Sequence, residues 1–531
     1  MTLPRNQLIK IQYLIPVLTL ILVGCTRSQL TPSPTIIVEQ EQVEVTSSTD
    51  RPASGAPEGG SLPSQNSALI PGAQSDLDSL LDLTQYDIEL VIDYEGHTFQ
   101  GRSQVDYTNT EDVPIDSLYF RLLPNGHNSY GNGSLSVSQV RVDGKPVETK
   151  LSLSDTVLEV TLPEPLAVGE QARLDFDYSG VVPVDFGGDE APAGYGIYNF
   201  SEGVLTLSGW YPILAVYDED GWNLDPVSPI GDSVYSDTAL YSIEVIADSY
   251  LSIAATGVEI DRGSSGETTH HRMISGPVRD FFLIMSPDFR VKSTQVDGTQ
   301  VNSYYLPGHE AGGEAALSIT ADSLRVFNEH FGVYPFTELD VVDAPMRHAL
   351  GVEYPAIFLV ASGLYEEPDQ PSFIVATAHE VAHQWWYSVV GNDVFDEPWL
   401  DEALTTYSSS LYYQDVLGKE SYQGIVDYWQ GRYDSLLEDG GDEPITQDLA
   451  YFENVADPGS YGGVVYIKGA LFFKALRDEI GDEAFFAALQ AYYQDHKHQI
   501  ARGDDLLSAF ERASGRSLDG FLQKWLYSAE G

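Results

Sequence analysis

Basic residues and cysteine are the scarce components of this sequence. Across 531 residues there are 27 Lys and Arg against 80 Asp and Glu, a formal net charge of −53. A surface this acidic repels nucleic-acid phosphates and anionic lipid headgroups, which argues against nucleic acid as a partner and makes an anionic lipid surface a poor one. Cys25 is the only cysteine, so no disulfide can form within the chain. Internal repeats are missing as well. What is present is ample material for cores: 43% of residues are hydrophobic and 11% aromatic, and the length points to two or three domains.

The N-terminus has its own pattern. Arg5 and Lys10 precede an apolar stretch, residues 11–22, that contains Pro16. It is too short for a comfortable membrane span and fits an export signal. It runs into LVGC (22–25), which resembles the lipobox of bacterial lipoproteins. The resemblance implies a signal peptide over 1–24 and a lipidated Cys25, so the protein is expected to be exported and lipid-anchored at the cell membrane or cell surface. Residues 25–79 are rich in Ser, Thr, Pro, Gln and Gly without sustained apolar periodicity, and are expected to form a flexible linker.

From residue 80 the pattern becomes that of strands. Tyr86, Ile88, Leu90, Ile92 and Tyr94 alternate with mostly polar neighbours, as do Ala172, Leu174, Phe176 and Tyr178. This is the period of half-buried strands, and residues 80–295 are expected to form an all-β domain. Later the period lengthens: residues 315–332 read as an amphipathic helix and 339–345 as a strand. From Pro371 onward nearly everything reads as helix, beginning with 371–391. The chain is thus expected to be an α+β multidomain protein, with a second, mostly helical domain over 296–531.

HEVAHQWW (379–386) lies in the first of those helical stretches. Four residues make about one helical turn, so His379 and His383 share a face and can aim two ring nitrogens at one ion. Glu380, beside the first histidine, is placed to take a proton from a water at that ion. Catalytic zinc wants three protein ligands and an open position. The next predicted helix, in EPWLDEALTTY (397–407), offers Glu402, nineteen residues after His383. The expected centre is one Zn2+ per chain held by His379, His383 and Glu402, with water at the fourth position.

HEVAHQWW, followed after eighteen intervening residues by the glutamate of WLDEALTTY, resembles the gluzincin aminopeptidases related to aminopeptidase N. The resemblance covers residues 80–530 and implies an N-terminal saddle-shaped β domain, then a thermolysin-like zinc metallopeptidase domain. GVEYP (351–355) matches the family's Gly-x-Met-Glu-Asn element, which implies substrate binding at Gly351 and Glu353, with Glu353 gripping a substrate's free α-amine. SYGGVVYIKGALFF (460–473) matches a segment whose tyrosine binds the tetrahedral oxyanion, a role that falls to Tyr466. The implied activity is removal of N-terminal residues from peptides at the cell surface.

The sequence departs from the family at Val352 and Tyr354, where Met and Asn are usual, and at Ala403, where Gly is frequent. Ser409 stands where a glutamate often orients a histidine. The sequence also ends where the catalytic domain would, so a further helical domain is expected to be absent and the cleft more open. That leaves an endopeptidase, or an inactive surface-binding lipoprotein, as alternatives to the aminopeptidase. Of the remaining candidates, His270 and His271 read as a solvated turn, and DEDG (218–221) as a calcium-like loop lacking the closing glutamate. Trp385 and Trp386 read as core. His348 and Tyr461 are either cleft or loop residues, and Asp401 either supports the metal site or is a solvated helix residue.

Overall fold

The computed structural model of the protein describes residues 65–187, 195–231, 234–455 and 459–529. The expected signal peptide over 1–24, Cys25 and residues 26–64 of the expected linker lie outside the described residues. Among the described residues no helix is long and apolar enough to cross a membrane.

The alternating segments form strands as their period requires. Thr84–Asp93 buries Tyr86, Ile88, Leu90 and Ile92 on one face. It pairs antiparallel with Thr98–Thr108 and parallel with Ala239–Asp248, at the centre of an eight-stranded sheet. Two four-stranded sheets and a two-stranded hairpin accompany it in the β domain. A separate five-stranded sheet introduces the second domain. It orders Arg290–Val296, Thr299–Tyr305, Glu338–Ala344, Ile357–Ala361 and, at the edge, Gly351–Tyr354. Glu310–His330 is the crossover helix between two parallel strands of this sheet. Its edge strand runs antiparallel to its neighbour and carries Glu353. Helices make up most of the described residues beyond this sheet.

Several boundaries differ from expectation. Arg290–Val296 pairs with Thr299–Tyr305, so the second sheet begins before residue 296. Residues 65–79 are not a tether: Ala68, Leu69, Ile70, Ala73 and Leu77 are buried. The amide of Ile70 donates to the carbonyl of Pro335 at 2.9 Å, and that of Thr337 donates to the carbonyl of Ala68 at 2.9 Å. Short 3-10 turns bury single residues without building the long period a sequence scan detects. The crossover helix starts at Glu310 rather than 315 because Gly312 and Gly313 pack within it. A Cβ at either would meet Tyr365 or Tyr305 at 2.6 and 2.4 Å, so close packing overrides the weak helix propensity of glycine.

The helix expected over 371–391 ends at Ala382. Beyond it Trp385 and Trp386 turn into the core, their indole N–H groups donating to the Gly332 carbonyl and the Ser408 hydroxyl. His270 and His271 lie in the strand Thr268–Ile274, not in a solvated turn. They face opposite ways, His270 toward Glu244 and a buried His271 toward Glu259. DEDG closes a small hairpin.

Arg279, fully buried, joins the β domain to the segment that follows the histidine motif. Its guanidinium donates to the carbonyls of Tyr387 and Gln499, while the Tyr387 hydroxyl donates to Asp280 at 2.7 Å. A Cβ on Gly391 would lie 2.0 Å from that guanidinium, which is why a glycine stands there.

The N-terminal segment is fastened by Asp76, which accepts from Lys497 at 2.6 Å and faces His498 at 3.5 Å. Burial pushes the Asp76 carboxyl up, but the hydrogen bonds and charges of His498 and Lys497 outweigh it and hold it below its ordinary value. A carboxylate depressed in the folded state stabilises it above the unfolded pKa and ceases to do so as pH falls through the folded value. Asp76→Asn is therefore expected to lower stability by about 1–2 kcal/mol at neutral pH. In urea titrations the difference from the native protein should shrink as pH drops below the ordinary carboxylate pKa of about 4.

Candidate metal centre

Two helices build the site. Pro371 occupies the first turn of Pro371–Ala382, where its missing N–H costs nothing. One turn separates His379 from His383, which caps the helix end. The second helix, Trp399–Tyr412, follows Pro398 and is buried along its whole length. Glu402 stands in its first turn. Asp401 is buried beside it and accepts from the Glu402 amide at 2.9 Å and from Asn392 at 3.5 Å, which fixes the start of the helix.

The helices converge on three donor atoms. His379 Nε2 lies 3.2 Å from Glu402 Oε2, His383 Nε2 lies 3.1 Å from His379 Nε2, and His383 Nε2 lies 3.5 Å from Glu402 Oε2. Zinc bonds of about 2.0–2.2 Å in a tetrahedron place ligand atoms roughly 3.3–3.5 Å apart, so this triangle is close to one face of that polyhedron. The tautomers fit too. His383 Nδ1 meets the Trp386 carbonyl at 3.0 Å; a carbonyl only accepts, so the proton sits on Nδ1 and the Nε2 lone pair faces the other donors. Thr405 Oγ1 is 3.3 Å from the same nitrogen. The Ser409 hydroxyl donates to the Thr406 carbonyl within its own helix, so the Trp386 carbonyl and Thr405 orient the His383 ring without a glutamate at 409.

The electrostatics favour a cation. For Glu402, burial acts to raise the pKa, but hydrogen bonds and charge from His379 and His383 win and hold the carboxyl well below its usual range. His379 is lowered, chiefly by burial. His383 is raised well above its ordinary value: burial pulls it down, and the carboxylates of Glu353, Glu402 and Glu380 more than reverse this. Three buried carboxylates around two imidazoles thus draw positive charge to this spot.

Glu353 and Glu380 join the same constellation. Their carboxylates and a ring nitrogen of His383 lie within 4.8 Å of one another, and Glu353 Oε1 is 4.0 Å from His383 Nδ1. Gly351 has a distinct part. A Cβ there would sit 2.4 Å from Glu380 Oε1 and 2.6 Å from its Cγ, so the bare backbone makes room for the Glu380 side chain. Tyr354 stacks flat on Phe282 of the β domain at 3.9 Å. Gln384, unremarked in the sequence, is fully buried beside the motif. Its amide donates to the Tyr354 carbonyl at 3.0 Å and accepts from the Ala356 amide at 2.9 Å, tying the Glu353 strand to the histidine helix. Its signal was a polar side chain in an otherwise apolar HEVAHQWW tail.

Tyr466 rides on a wide helical turn, Gly462–Lys468, of the π type often found at functional sites. Its hydroxyl donates to Glu402 Oε1 at 2.5 Å, and its ring lies parallel to that of His379 with centroids 6.0 Å apart. Tyr461 packs edge-on against it at 5.7 Å. His379, His383, Glu402, Glu380, Glu353, Gly351 and Tyr466 open onto a cavity of about 460 Å³ that Tyr461 and His348 also line. The β domain contributes Tyr195, Ile230 and Gly231 to its wall, and the helix Lys419–Asp439 contributes Tyr428 and Trp429. Of the residues singled out from sequence, His379, His383, Glu402, Glu380, Glu353, Gly351 and Tyr466 therefore meet in one place, while Cys25 lies outside the described residues.

Residues 315–525 match the peptidase family M1 domain. Across 83% of its length the chain is 24% identical to aminopeptidase M1-A of Oryza sativa, covering 49% of that protein. It is 28% identical to aminopeptidase N of Streptomyces lividans over 46% of the chain and 30% of the relative. The chain thus spans about half the length, or less, of these relatives. The crystal structure of the M1 zinc metallopeptidase from Deinococcus radiodurans superimposes with a TM-score of 0.64 at 22% identity, covering 84% of this chain and 94% of the other. A variant of that enzyme bound to a Tyr-Ser-Ala substrate gives the same TM-score. These likenesses establish the two-domain fold.

Because the Gly351 position must stay empty for Glu380 to keep its place, Gly351→Ala is expected to lower turnover at least about tenfold while leaving bound zinc unchanged. Metal analysis alongside steady-state kinetics checks this: zinc loss in proportion to activity would mean the substitution acts on the ligands instead.

Proposed function

From the match of residues 315–525 to the peptidase family M1 domain, we propose that this protein is a zinc-dependent aminopeptidase that removes N-terminal residues from peptides. The carrying observation is Glu353, a buried carboxylate 4.0 Å from His383, beside the three donors that fit zinc. A chain end differs from the rest of a peptide by its protonated α-amine. A carboxylate withdrawn from water is its natural partner, because charge-assisted hydrogen bonds strengthen as the local dielectric falls.

His379, His383 and Glu402 would hold the ion. Zinc bound there supplies Lewis acidity toward the scissile carbonyl and brings the pKa of water to about 7. Glu380 takes the proton from the attacking water and delivers it to the leaving amine. The Tyr466 hydroxyl donates to the oxygen on which negative charge develops, which requires it to exchange its bond to Glu402 for one to the substrate. Glu353 fixes the register, so that cleavage falls one residue from the amine. The solved structure of the Deinococcus radiodurans variant bound to Tyr-Ser-Ala supports a short peptide as substrate class.

Export and lipid anchoring through Cys25 belong to the same proposal and are supported by the basic start at Arg5 and Lys10, the apolar stretch 11–22 and LVGC. The anchor would hold the site at the membrane or cell surface.

About one zinc per chain is expected after gentle purification, and a chelator should abolish activity that zinc restores. Glu380→Gln should retain the metal and lose most turnover, since it removes the base and no ligand. A zinc-free preparation of full activity would overturn the metal assignment.

The aminopeptidase reading is tested with matched peptides, one with a free amine and one acetylated. Acetylation should nearly abolish cleavage by the native protein. Glu353→Ala should cost roughly 30- to 1000-fold in kcat/KM on the free-amine peptide, narrowing the gap between the pair. Equal native cleavage of both would make the protein an endopeptidase.

A further inference from the structure

The helix that supplies Glu402 and the segment that carries Tyr466 meet at two small residues. Ala403, next to the ligand, is fully buried. Opposite it is Gly469, the first residue of the helix Gly469–Ile480 and three residues, about one turn, beyond Tyr466. A Cβ added to Gly469 would lie 2.4 Å from the Ala403 Cβ, 3.3 Å from its Cα and 3.8 Å from the Val464 carbonyl oxygen. The contact therefore has room for one methyl group and no more. The other side of the Tyr466 segment is held by Lys468, also fully buried. Its ammonium pairs with Asp442 at 2.8 Å and donates to the carbonyls of Glu443 and Ser528 at 2.9 Å each. Fastened there by three polar contacts, the segment cannot slide to relieve crowding at Gly469 without breaking one.

We propose that the Ala403–Gly469 contact is a positioning device that sets the distance between the metal-ligand helix and the Tyr466 hydroxyl. It rests on the functional reading above, in which that hydroxyl serves the oxyanion. The direct link is the 2.5 Å hydrogen bond from Tyr466 to Glu402 Oε1: the hydroxyl and the ligand carboxylate belong to the two elements that the contact spaces. A second methyl at Gly469 wedges these elements apart, and a hydroxyl so displaced leaves the distance and angle ranges that a good hydrogen bond requires. Moving the single methyl from one side to the other relieves most of the clash. The nearest atom then becomes the Ala403 Cα at 3.3 Å, which is tight but tolerable with a small adjustment. Gly469 is thus required by what faces it and not by its own backbone, which is ordinarily helical with φ −58°.

The test uses the zinc-loaded full chain and free-amine peptides. Gly469→Ala is expected to lower kcat at least about tenfold with KM and zinc content near native, the pattern of an interaction made only in the transition state. The double variant Ala403→Gly/Gly469→Ala should recover most of that loss. In a Tyr466→Phe background, itself expected to be down about 10²–10³-fold, adding Gly469→Ala should cost little more, because the hydroxyl it displaces is already gone. Native-like kcat in Gly469→Ala, no recovery in the double variant, or full additivity with Tyr466→Phe would each overturn the proposal. Failure of the aminopeptidase reading looks different, since the native protein itself would then show no preference for the free amine.

Discussion

The structure turns on bringing His379, His383 and Glu402 within 3.1 to 3.5 Å of one another inside the protein. Two imidazoles and a carboxylate taken out of water are expensive to hold together unless a cation sits among them. The surroundings intensify that demand, because Glu353 and Glu380 add two further buried carboxylates at the same spot. Helix Trp399–Tyr412, which carries Glu402, is itself buried along its whole length.

Precision at the centre comes from neighbours that are not themselves among its three donors. The Trp386 carbonyl fixes the tautomer of His383, and it can do so because the histidine helix stops at Ala382 and lets the chain turn inward. Gln384 uses the same turn to clamp the strand bearing Glu353. Gly351 clears space for Glu380, as Gly469 does for Ala403. In each case a small or polar residue is set by what faces it, so the site is a packing problem before it is a chemical one.

The β domain takes part through its contacts as well as its bulk. Arg279 and Asp280 hold Tyr387, four residues after His383, and Phe282 stacks on Tyr354 beside Glu353. Tyr195, Ile230 and Gly231 line the cavity itself. Residues of both domains therefore line the cavity.

The sequence alone determined what depends on local period and spacing. Alternating apolar residues made the strands around 84–108 and 171–181 legible. Histidines four apart on a helix, with a glutamate in the next helix, made the metal centre legible, because helical geometry converts spacing directly into direction. The family resemblance added Glu353 and Tyr466, and the structure brings both to the same cavity. Only tertiary structure decided the rest. Residues 65–79 look like a linker until Pro335 and Thr337 supply their hydrogen-bond partners, and Gly312 and Gly313 look like breakers until Tyr305 and Tyr365 press against them. His271 reads as part of a turn until strand pairing buries it. The partner of the His383 ring could not be read from Ser409, because it is a backbone carbonyl, and every residue has one. Contacts of that kind depend on where the chain returns in space, which no local pattern records.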